Sequence, residues 1–411
     1  MINSRQAAFE ALYKVCFDSA YSNIAVDNVL SDLKEGRAFA ARLVYGVLER
    51  LITLDYIIEK HCEKPKPKLR IILRMGTYQL YYMDKVTSAA AIDESVKLAK
   101  ANGLKYYSSF VNAVLHKIDN NRIDIDALSD LSVKYSVPQN LINMWNKAYS
   151  SETVLKFLPF LNGRPPLFAV PNPNKTDARD LCSLLTDEGV KCSVYEDVVR
   201  IDFTADITTL HSFKAGLFHI QDISCVKAVS ALKIVKGDTV YDFCAAPGGK
   251  SFIASYFAGN SGQVYSFDLH KNRVALMELS AERLGLRNIS ARVNDASVYN
   301  SNLASADKII CDVPCSGYGI VRRKPEIRYK ELDSVKALPE IQYQILSTSS
   351  KYLKSGGRLL YSTCTLNKKE NEKVVYEFLK NNNDFSLCEI KTFFPGEDGG
   401  DGFFYSVIER K

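Results

Sequence analysis

No uninterrupted apolar stretch in this chain approaches the roughly 18 residues needed to cross a membrane. The segment from Met1 to Tyr13 carries Arg5 and Glu10 among isolated apolar residues, so it is not expected to be a signal peptide. No CxxC pair occurs among the ten cysteines, and the five histidines (His61, His116, His211, His219 and His270) lack metal-ligand spacing. Those absences exclude the usual zinc frameworks, and no metal site is expected. Without a secretion signal the cysteines are expected to be reduced thiols in a cytoplasmic protein. Cys16, Cys62, Cys182, Cys192, Cys225 and Cys388 are read as buried small hydrophobes. Strong strand patterns are missing before about residue 165. Two nucleotide loops are also absent. There is no GxGxxG, and the P-loop-like ending Gly249-Lys250-Ser251 has Cys244 where a P-loop needs its first glycine.

At 411 residues the chain is too long for one ordinary core, so two or three domains are expected. Its 46% hydrophobic and 24% charged content is that of a globular protein. A net charge of +6 permits a polyanionic partner without demanding one.

Three regions follow from periodicity. Residues 1–125 read as an all-helical domain: Leu43, Val44, Val47, Leu48 and Leu51 form one stripe in a helix over Ala38–Leu54, with further helices over Ile71–Tyr82, Ala90–Ala99 and Ser108–Ile118. Asp93 and Glu94 are expected near the first turn of their helix, where negative charge suits its dipole. Residues 126–219 read as a helical linker over Leu131–Leu161 and, after the breaker cluster Asn162–Pro166, a small α+β subdomain. That subdomain has strands over Leu167–Val170, Lys191–Val194 and Val198–Phe203 and a helix over Asp177–Glu188. Residues 220–411 alternate apolar strands with helices. The strands are Thr239–Cys244, Val264–Asp268, Ser290–Val293, Lys308–Asp312 and Arg358–Ser362; helices are expected over Ser251–Phe257, Arg273–Leu284 and Ile341–Leu353. Such alternation indicates a parallel sheet covered on both faces, and ligands of such sheets bind at the carboxyl ends of the strands.

Those ends carry the chemistry. The small-residue loop Cys244, Ala245, Ala246, Pro247, Gly248, Gly249 and Lys250 follows the first strand. Its glycine pair opens a helix, which allows close backbone approach and offers N–H groups to a carboxylate. Asp268, 20 residues after Gly248, suits ribose hydroxyls, and Asn294-Asp295 suits an adenine edge. Together they fit S-adenosyl-L-methionine, an adenosine without phosphates; helix capping is the alternative role for each acid alone. Cys315 and Cys364 end the fourth and fifth strands. A thiolate adding to C6 of cytosine would make the unreactive C5 nucleophilic. A free thiol is only a few per cent ionised at pH 7, so basic neighbours and helix N-termini are expected to lower its pKa. Asp312 is better placed to hydrogen-bond the base than to act on a thiol. Pro314 and the Ser-Gly after Cys315 favour an exposed turn. Arg322, Arg323 and Lys324 follow it and suit an RNA backbone. The cluster Lys64, Lys66, Lys68, Arg70 and Arg74 is either a grip for RNA phosphates or a solvated loop and helix start.

The words Asp242-Phe-Cys-Ala-Ala-Pro-Gly-Gly-Lys-Ser251, Asp312-Val-Pro-Cys-Ser-Gly317, Arg322-Arg323-x-Pro325 and Ser362-Thr-Cys-Thr365 resemble the RNA cytosine-C5 methyltransferases of the RsmB/Sun/NSUN type. Leu43–Leu48, Ile72–Leu80 and Phe110–Leu115 resemble the NusB-like domain of the bacterial RsmB proteins. Thr87 stands where that family usually has proline, and His116 where it usually has arginine. The resemblance implies an all-α NusB-like domain and a Rossmann-like class I methyltransferase domain with a mostly parallel seven-stranded sheet. It implies Cys364 as nucleophile, Cys315 as the aid to product release, and S-adenosyl-L-methionine bound by residues 244–250, Asp268, Arg273, Asp295 and Asp312. It also implies a 16S ribosomal RNA substrate with a flipped or unpaired cytosine, and a monomer with no obligatory protein partner. A transfer-RNA cytosine methyltransferase and a non-catalytic RNA-binding assembly factor are the rival readings.

Overall fold

The computed structural model describes all residues except 1, 2, 19–21, 32, 34 and 203–205, together with the side chains of residues 23 and 398. Two compact units divide the chain: residues 1–164 with 321–331, and residues 165–320 with 332–411.

The first unit is helical. Its elements are α1 (Ser4–Phe17), α2 (Ser22–Leu30), α3 (Arg37–Glu49), α4 (Leu51–Glu59), α5 (Pro67–Tyr82), α6 (Ser88–Ala101), α7 (Ser108–Asn120), α8 (Leu131–Tyr135), α9 (Gln139–Ala148) and α10 (Ser151–Phe157). The apolar stripes of α1 to α7 meet in one core that includes Leu12, Leu43, Val47, Ile72 and Leu115. Two expectations change here. The stripe over residues 38–54 belongs to two helices, because Arg50 leaves helical geometry (φ −115°, ψ 18°). The exposed carbonyls at the end of α3 are taken by distant donors: Tyr329 Oη donates to Leu48 O at 2.8 Å and Arg328 Nη1 to Glu49 O at 3.2 Å. Sequence periodicity is blind to such partners. In addition, α6 begins at Ser88, two residues earlier than expected, with Thr87 Oγ1 accepting from Ala90 N. Asp93 and Glu94 therefore lie beyond its first turn and pair with Lys97 instead.

An eleven-residue strap, Val321–Glu331, belongs to this unit although it follows the Cys315 turn in sequence. Arg328 anchors it. Only 1% exposed, its guanidinium donates to Glu49 O, Ser136 O, Asn162 Oδ1, Leu161 O and Val321 O at 2.8–3.3 Å. A buried cation held by neutral oxygens needs this many acceptors to offset its desolvation.

The second unit holds two sheets. Strands β1 (Leu167–Pro171), β2 (Lys191–Tyr195), β3 (Val198–Asp202) and β4 (Phe218–Ile220) form an antiparallel sheet in the order β2-β3-β1-β4, with α11 (Ala178–Asp187) and α12 (His211–Lys214). Phe203, expected to end β3, lies outside the described residues. The larger sheet follows: α13 (Ile223–Ala231), β5 (Thr239–Phe243), α14 (Gly249–Ala258), β6 (Gln263–Asp268), α15 (Lys271–Leu284), β7 (Ile289–Val293), β8 (Ala306–Asp312), α16 (Leu338–Ser350), β9 (Leu353–Thr363), α17 (Glu372–Asn381), β10 (Phe385–Phe393) and β11 (Phe403–Arg410). Its order is β10-β11-β9-β8-β5-β6-β7, parallel from β9 to β7 and antiparallel at β10 and β11. This is the expected mostly parallel seven-stranded Rossmann-like sheet.

Alternate residues of the central strands feed two cores. Val240, Ile310 and Leu360 pack with Ile253 and Ala254 on one face. Tyr241, Ile309 and Leu359 pack with Ile345 and Phe378 on the other. Burial on both faces, at about 1.5–3 kcal/mol for each large apolar side chain, is why these strands read as continuous apolar runs. Leu353 opens β9 rather than closing α16. Four of the six cysteines read as buried hydrophobes, Cys16, Cys62, Cys182 and Cys192, are half-buried; Cys388 is exposed and only Cys225 is buried. Cys182 and Cys192 lie on α11 and β2 with their sulfurs 3.0 Å apart. Among the described residues no helix is long and apolar enough to cross a membrane.

Candidate active site

The parallel register sets β8 beside β9, pairing Cys311 with Tyr361 and Asp312 with Ser362. The chains that leave these two strands therefore emerge side by side, and Cys315 Sγ sits 3.2 Å from Cys364 Sγ. Both thiols are half-buried. Asp312 stands at the base of the pair. Its Oδ2 accepts from Lys250 Nζ at 2.7 Å and its Oδ1 from Ser362 Oγ at 2.8 Å. Burial works against the charge on Lys250, but Asp312 outweighs it and holds the ammonium pKa above its ordinary value.

The turn that carries Cys315 is not the exposed turn expected. Only Pro314 is exposed, and Ser316 to Gly319 are buried. Glu370, fully buried, accepts from Ser316 N at 2.8 Å, Ser316 Oγ at 2.6 Å, Asn367 Nδ2 at 2.8 Å and Gln342 Nε2 at 3.0 Å. Gly319 N donates to Cys364 O at 3.0 Å, and Gly402 N to Gly319 O at 2.9 Å. A Cβ on Gly319 would collide with Gly402 O and Cys364 O, so only glycine lets the Cys315 turn lie against the backbone of Cys364. Nor are the neighbours of Cys315 cationic. Its thiol is pushed well above the ordinary range by the hydrogen bond to Cys364, burial, and the charges of Cys364, Glu370 and Asp312. Sequence reasoning missed Glu370, Gln342 and Asn367. Glu370 lies in the polar segment after Thr365, which nothing but the fold marks as buried.

The loop between β5 and α14 lines the same end of the sheet. Cys244 adopts a left-handed conformation (φ 64°), as does Gly248 (φ 105°). A Cβ on Gly248 would lie 2.6 Å from Phe252, and one on Gly249 would collide with Gln221. Both glycines are buried, with Phe252 and Gln221 packed where a side chain would go, and they lead into the N-terminus of α14, whose N–H groups suit a ligand carboxylate. Asp268, 3% exposed, accepts from His270 N at 3.0 Å and pairs with Arg273 at 3.3 Å. Asp295 is exposed and accepts from Ser297 N and Oγ at 2.9 and 2.6 Å. Its neighbour Asn294 leaves Nδ2 buried and unpaired. A glycine pair at a helix N-terminus, a buried carboxylate and a buried spare donor fit a nucleoside that carries an amino-acid tail. No group of three or more His, Cys, Asp or Glu among the described residues is placed to hold a metal ion.

A family model described as 16S rRNA methyltransferase RsmB/F matches residues 229–409, and the NusB family model matches residues 2–120. The chain is 37% identical to a probable ribosomal RNA small subunit methyltransferase B of Bacillus subtilis, over 99% of this chain and 98% of that one. It belongs to the RsmB family. A counterpart in Synechocystis is 33% identical over the whole of both chains. Among solved structures, PH0851 shares the fold with a TM-score of 0.83 at 23% identity, covering 99% of this chain and 98% of that one. NSun6 from Pyrococcus horikoshii, solved with SFG, has a TM-score of 0.61 at 20% identity, covering 66% and 98%.

Arg322, Arg323 and Lys324 of this RsmB-family chain, which suit an RNA backbone by sequence, lie on the strap. All three are half-buried, and Arg322 donates to Gly163 O and Arg164 O. The basic cluster of the helical unit is largely engaged too. Arg70 and Arg74 pair with Asp55, while Lys66 and Lys68 stand over the rings of Tyr107 and Tyr13.

Asp242, fully buried behind the loop, accepts from Ser251 Oγ at 2.6 Å with its second oxygen unpaired. Burial pushes its pKa up to about 7. The folded protein therefore keeps a proton that the unfolded chain sheds near pH 4. Asp242 then costs stability progressively between about pH 4 and pH 7, and the full cost persists above that range. We expect Asp242→Asn to remove this loss. The stability difference between variant and wild type, from urea titrations, should move in the variant's favour by on the order of 2–4 kcal/mol from pH 4 to pH 8. A difference that stays constant with pH would show that burial does not raise the Asp242 pKa.

Proposed function

We propose that this protein transfers a methyl group from S-adenosyl-L-methionine to C5 of a specific cytosine in 16S ribosomal RNA, through a covalent adduct between Cys364 and C6. The observation that carries the reading is the pair of sulfurs 3.2 Å apart, at the ends of adjacent parallel strands and at the same end of the sheet as the glycine-paired loop that opens α14. When bound, the cofactor supplies an electrophilic methyl group on a sulfonium sulfur. Residues 244–250 and Asp268, with Asp295 and Arg273 at the rim, would hold it.

Two thiols so close lose their protons one at a time. Burial, Glu370 and Asp312 keep the remaining proton on Cys315, which can donate it in a hydrogen bond to a Cys364 thiolate. The Cys364 sulfur adds to C6 while Asp312, fixed by Lys250 and Ser362, hydrogen-bonds the base. The electron pair displaced to C5 takes the methyl group. The Cys364 sulfur is then an uncharged thioether, so part of what held the proton on Cys315 disappears. Cys315 releases that proton to solvent and, as thiolate, accepts the proton on C5. The C5–H electron pair restores the C5–C6 double bond, and Cys364 leaves with its own pair. One proton is released per methyl group.

A stacked cytosine must be flipped out at a cost of a few kcal/mol, so an unpaired target is favoured. The test is bisulfite sequencing of ribosomal and transfer RNA from cells with and without the gene. Loss of one protected cytosine in 16S RNA is the expected result. A mark lost from transfer RNA, with 16S RNA unchanged, would overturn the substrate.

A further inference from the structure

The four-stranded sheet carries a second pair of touching thiols, which methyl transfer does not use. Cys182 lies in α11 and Cys192 in β2, ten residues apart in sequence, and their sulfurs are 3.0 Å apart. Local structure holds both partners. Cys192 is fixed by the ladder, paired with Ile201 of β3. The turn that joins α11 to β2 is closed by Gly189 N donating to Thr186 O and Val190 N to Leu185 O, both at 2.9 Å. Glu188 ties that turn down by accepting from His211 N and Ser212 N at 2.9 Å. Below the thiols lies the core of Leu181, Leu185, Val190, Val199 and Ile201, and the two sulfurs sit half-buried on its rim. A small solute can reach them there. Among the described residues no third His, Cys, Asp or Glu joins them to make a metal site.

The sulfurs of a disulfide are about 2.05 Å apart, so closing this pair needs a movement of only about 1 Å. We propose that Cys182 and Cys192 form a redox modification site, a dithiol that a hydroperoxide converts into a disulfide tying α11 to the edge strand β2. Two thiols so close lose their protons one at a time. Burial and the neighbouring Cys192 push the Cys182 thiol up to about 11, so Cys182 keeps its proton and Cys192 attacks. With hydrogen peroxide, the Cys192 sulfur takes one oxygen: an S–O bond forms, the O–O bond breaks, and the hydroxide that leaves is protonated to water. The Cys182 sulfur then attacks the Cys192 sulfur. An S–S bond forms, the S–O bond breaks, and the departing hydroxide takes the Cys182 proton as a second water. The two sulfurs lose two electrons and the peroxide gains them. A thiol reductant reverses the change by exchange. None of this depends on the methyl-transfer reading.

The test treats the reduced full chain with hydrogen peroxide, alkylates the remaining thiols with N-ethylmaleimide in guanidinium, and maps tryptic peptides by mass. Trypsin cuts after Lys191, which places the two cysteines on separate peptides. Cys182 and Cys192 are expected to lose their label together and to appear as one linked peptide pair that dithiothreitol separates. Cys388, exposed and without a thiol partner, should keep its label. In Cys182→Ser the sulfenic acid on Cys192 has no resolving thiol, so its capture by dimedone should rise about tenfold over wild type. Stronger capture at Cys182 in Cys192→Ser would reverse the two roles. Sulfenic or sulfinic acid on wild-type Cys182 or Cys192, with no linked peptide, would overturn the site. So would linkage of Cys315 to Cys364 while Cys182 and Cys192 keep their label.

Discussion

Cys364→Ala is expected to abolish methyl transfer to 16S RNA, a loss of about 10⁴-fold or more, while affinity for S-adenosyl-L-methionine changes by less than threefold. The asymmetry follows from position. Removing the attacking sulfur removes the covalent route itself, and groups that act as a unit leave only residual catalysis when one is lost. The proposed cofactor loop, by contrast, is built from residues 244–250, with Phe252 and Gln221 against its glycines, and does not include Cys364. Tritium transfer from labelled cofactor and calorimetry of cofactor binding separate the two effects. Activity within tenfold of wild type would sink the nucleophile assignment.

Cys315→Ala has a different expected phenotype. The adduct forms, C5 is methylated, and the C5 proton then has no thiolate to receive it, so the enzyme stays bound to its RNA. A slow band on a denaturing gel, sensitive to ribonuclease and dependent on cofactor, is the expected result, with turnover reduced at least 10²-fold. If Cys364→Ala accumulates the band and Cys315→Ala does not, the two roles are exchanged. The geometry that motivates this prediction is narrow. The sulfurs are 3.2 Å apart, and Gly319 clips the Cys315 turn to the backbone of Cys364.

Much of this architecture was legible because strong periodic signals report burial directly. The strands at 239–243, 264–268 and 308–312 are apolar on both faces, and parallel sheets of this kind put ligands at their carboxyl ends. The antiparallel pair β10 and β11 was harder to see. β10 lies at the sheet edge with most of its residues half-buried or exposed, and so lacks a continuous apolar run. The break at Arg50 was invisible for another reason. The carbonyls of Leu48 and Glu49 are satisfied by Tyr329 and Arg328, some 280 residues downstream. Glu370 was missed likewise. A glutamate in a polar segment carries no mark of full burial until its four donors are in place.

By itself, then, the sequence singled out the candidates for chemistry: two strand-end thiols, a glycine-paired loop without phosphate-binding spacing, and acids at neighbouring strand ends. Those features depend on local spacing and on the two-residue period of strands, which the chain carries without reference to distant parts. Only the tertiary structure decided that the thiols nearly touch, that acids rather than cations surround Cys315, and that the basic strap after it belongs to the helical unit. Each of these depends on burial and on hydrogen bonds between residues far apart in the chain, where electrostatic effects are strongest and sequence spacing carries no information.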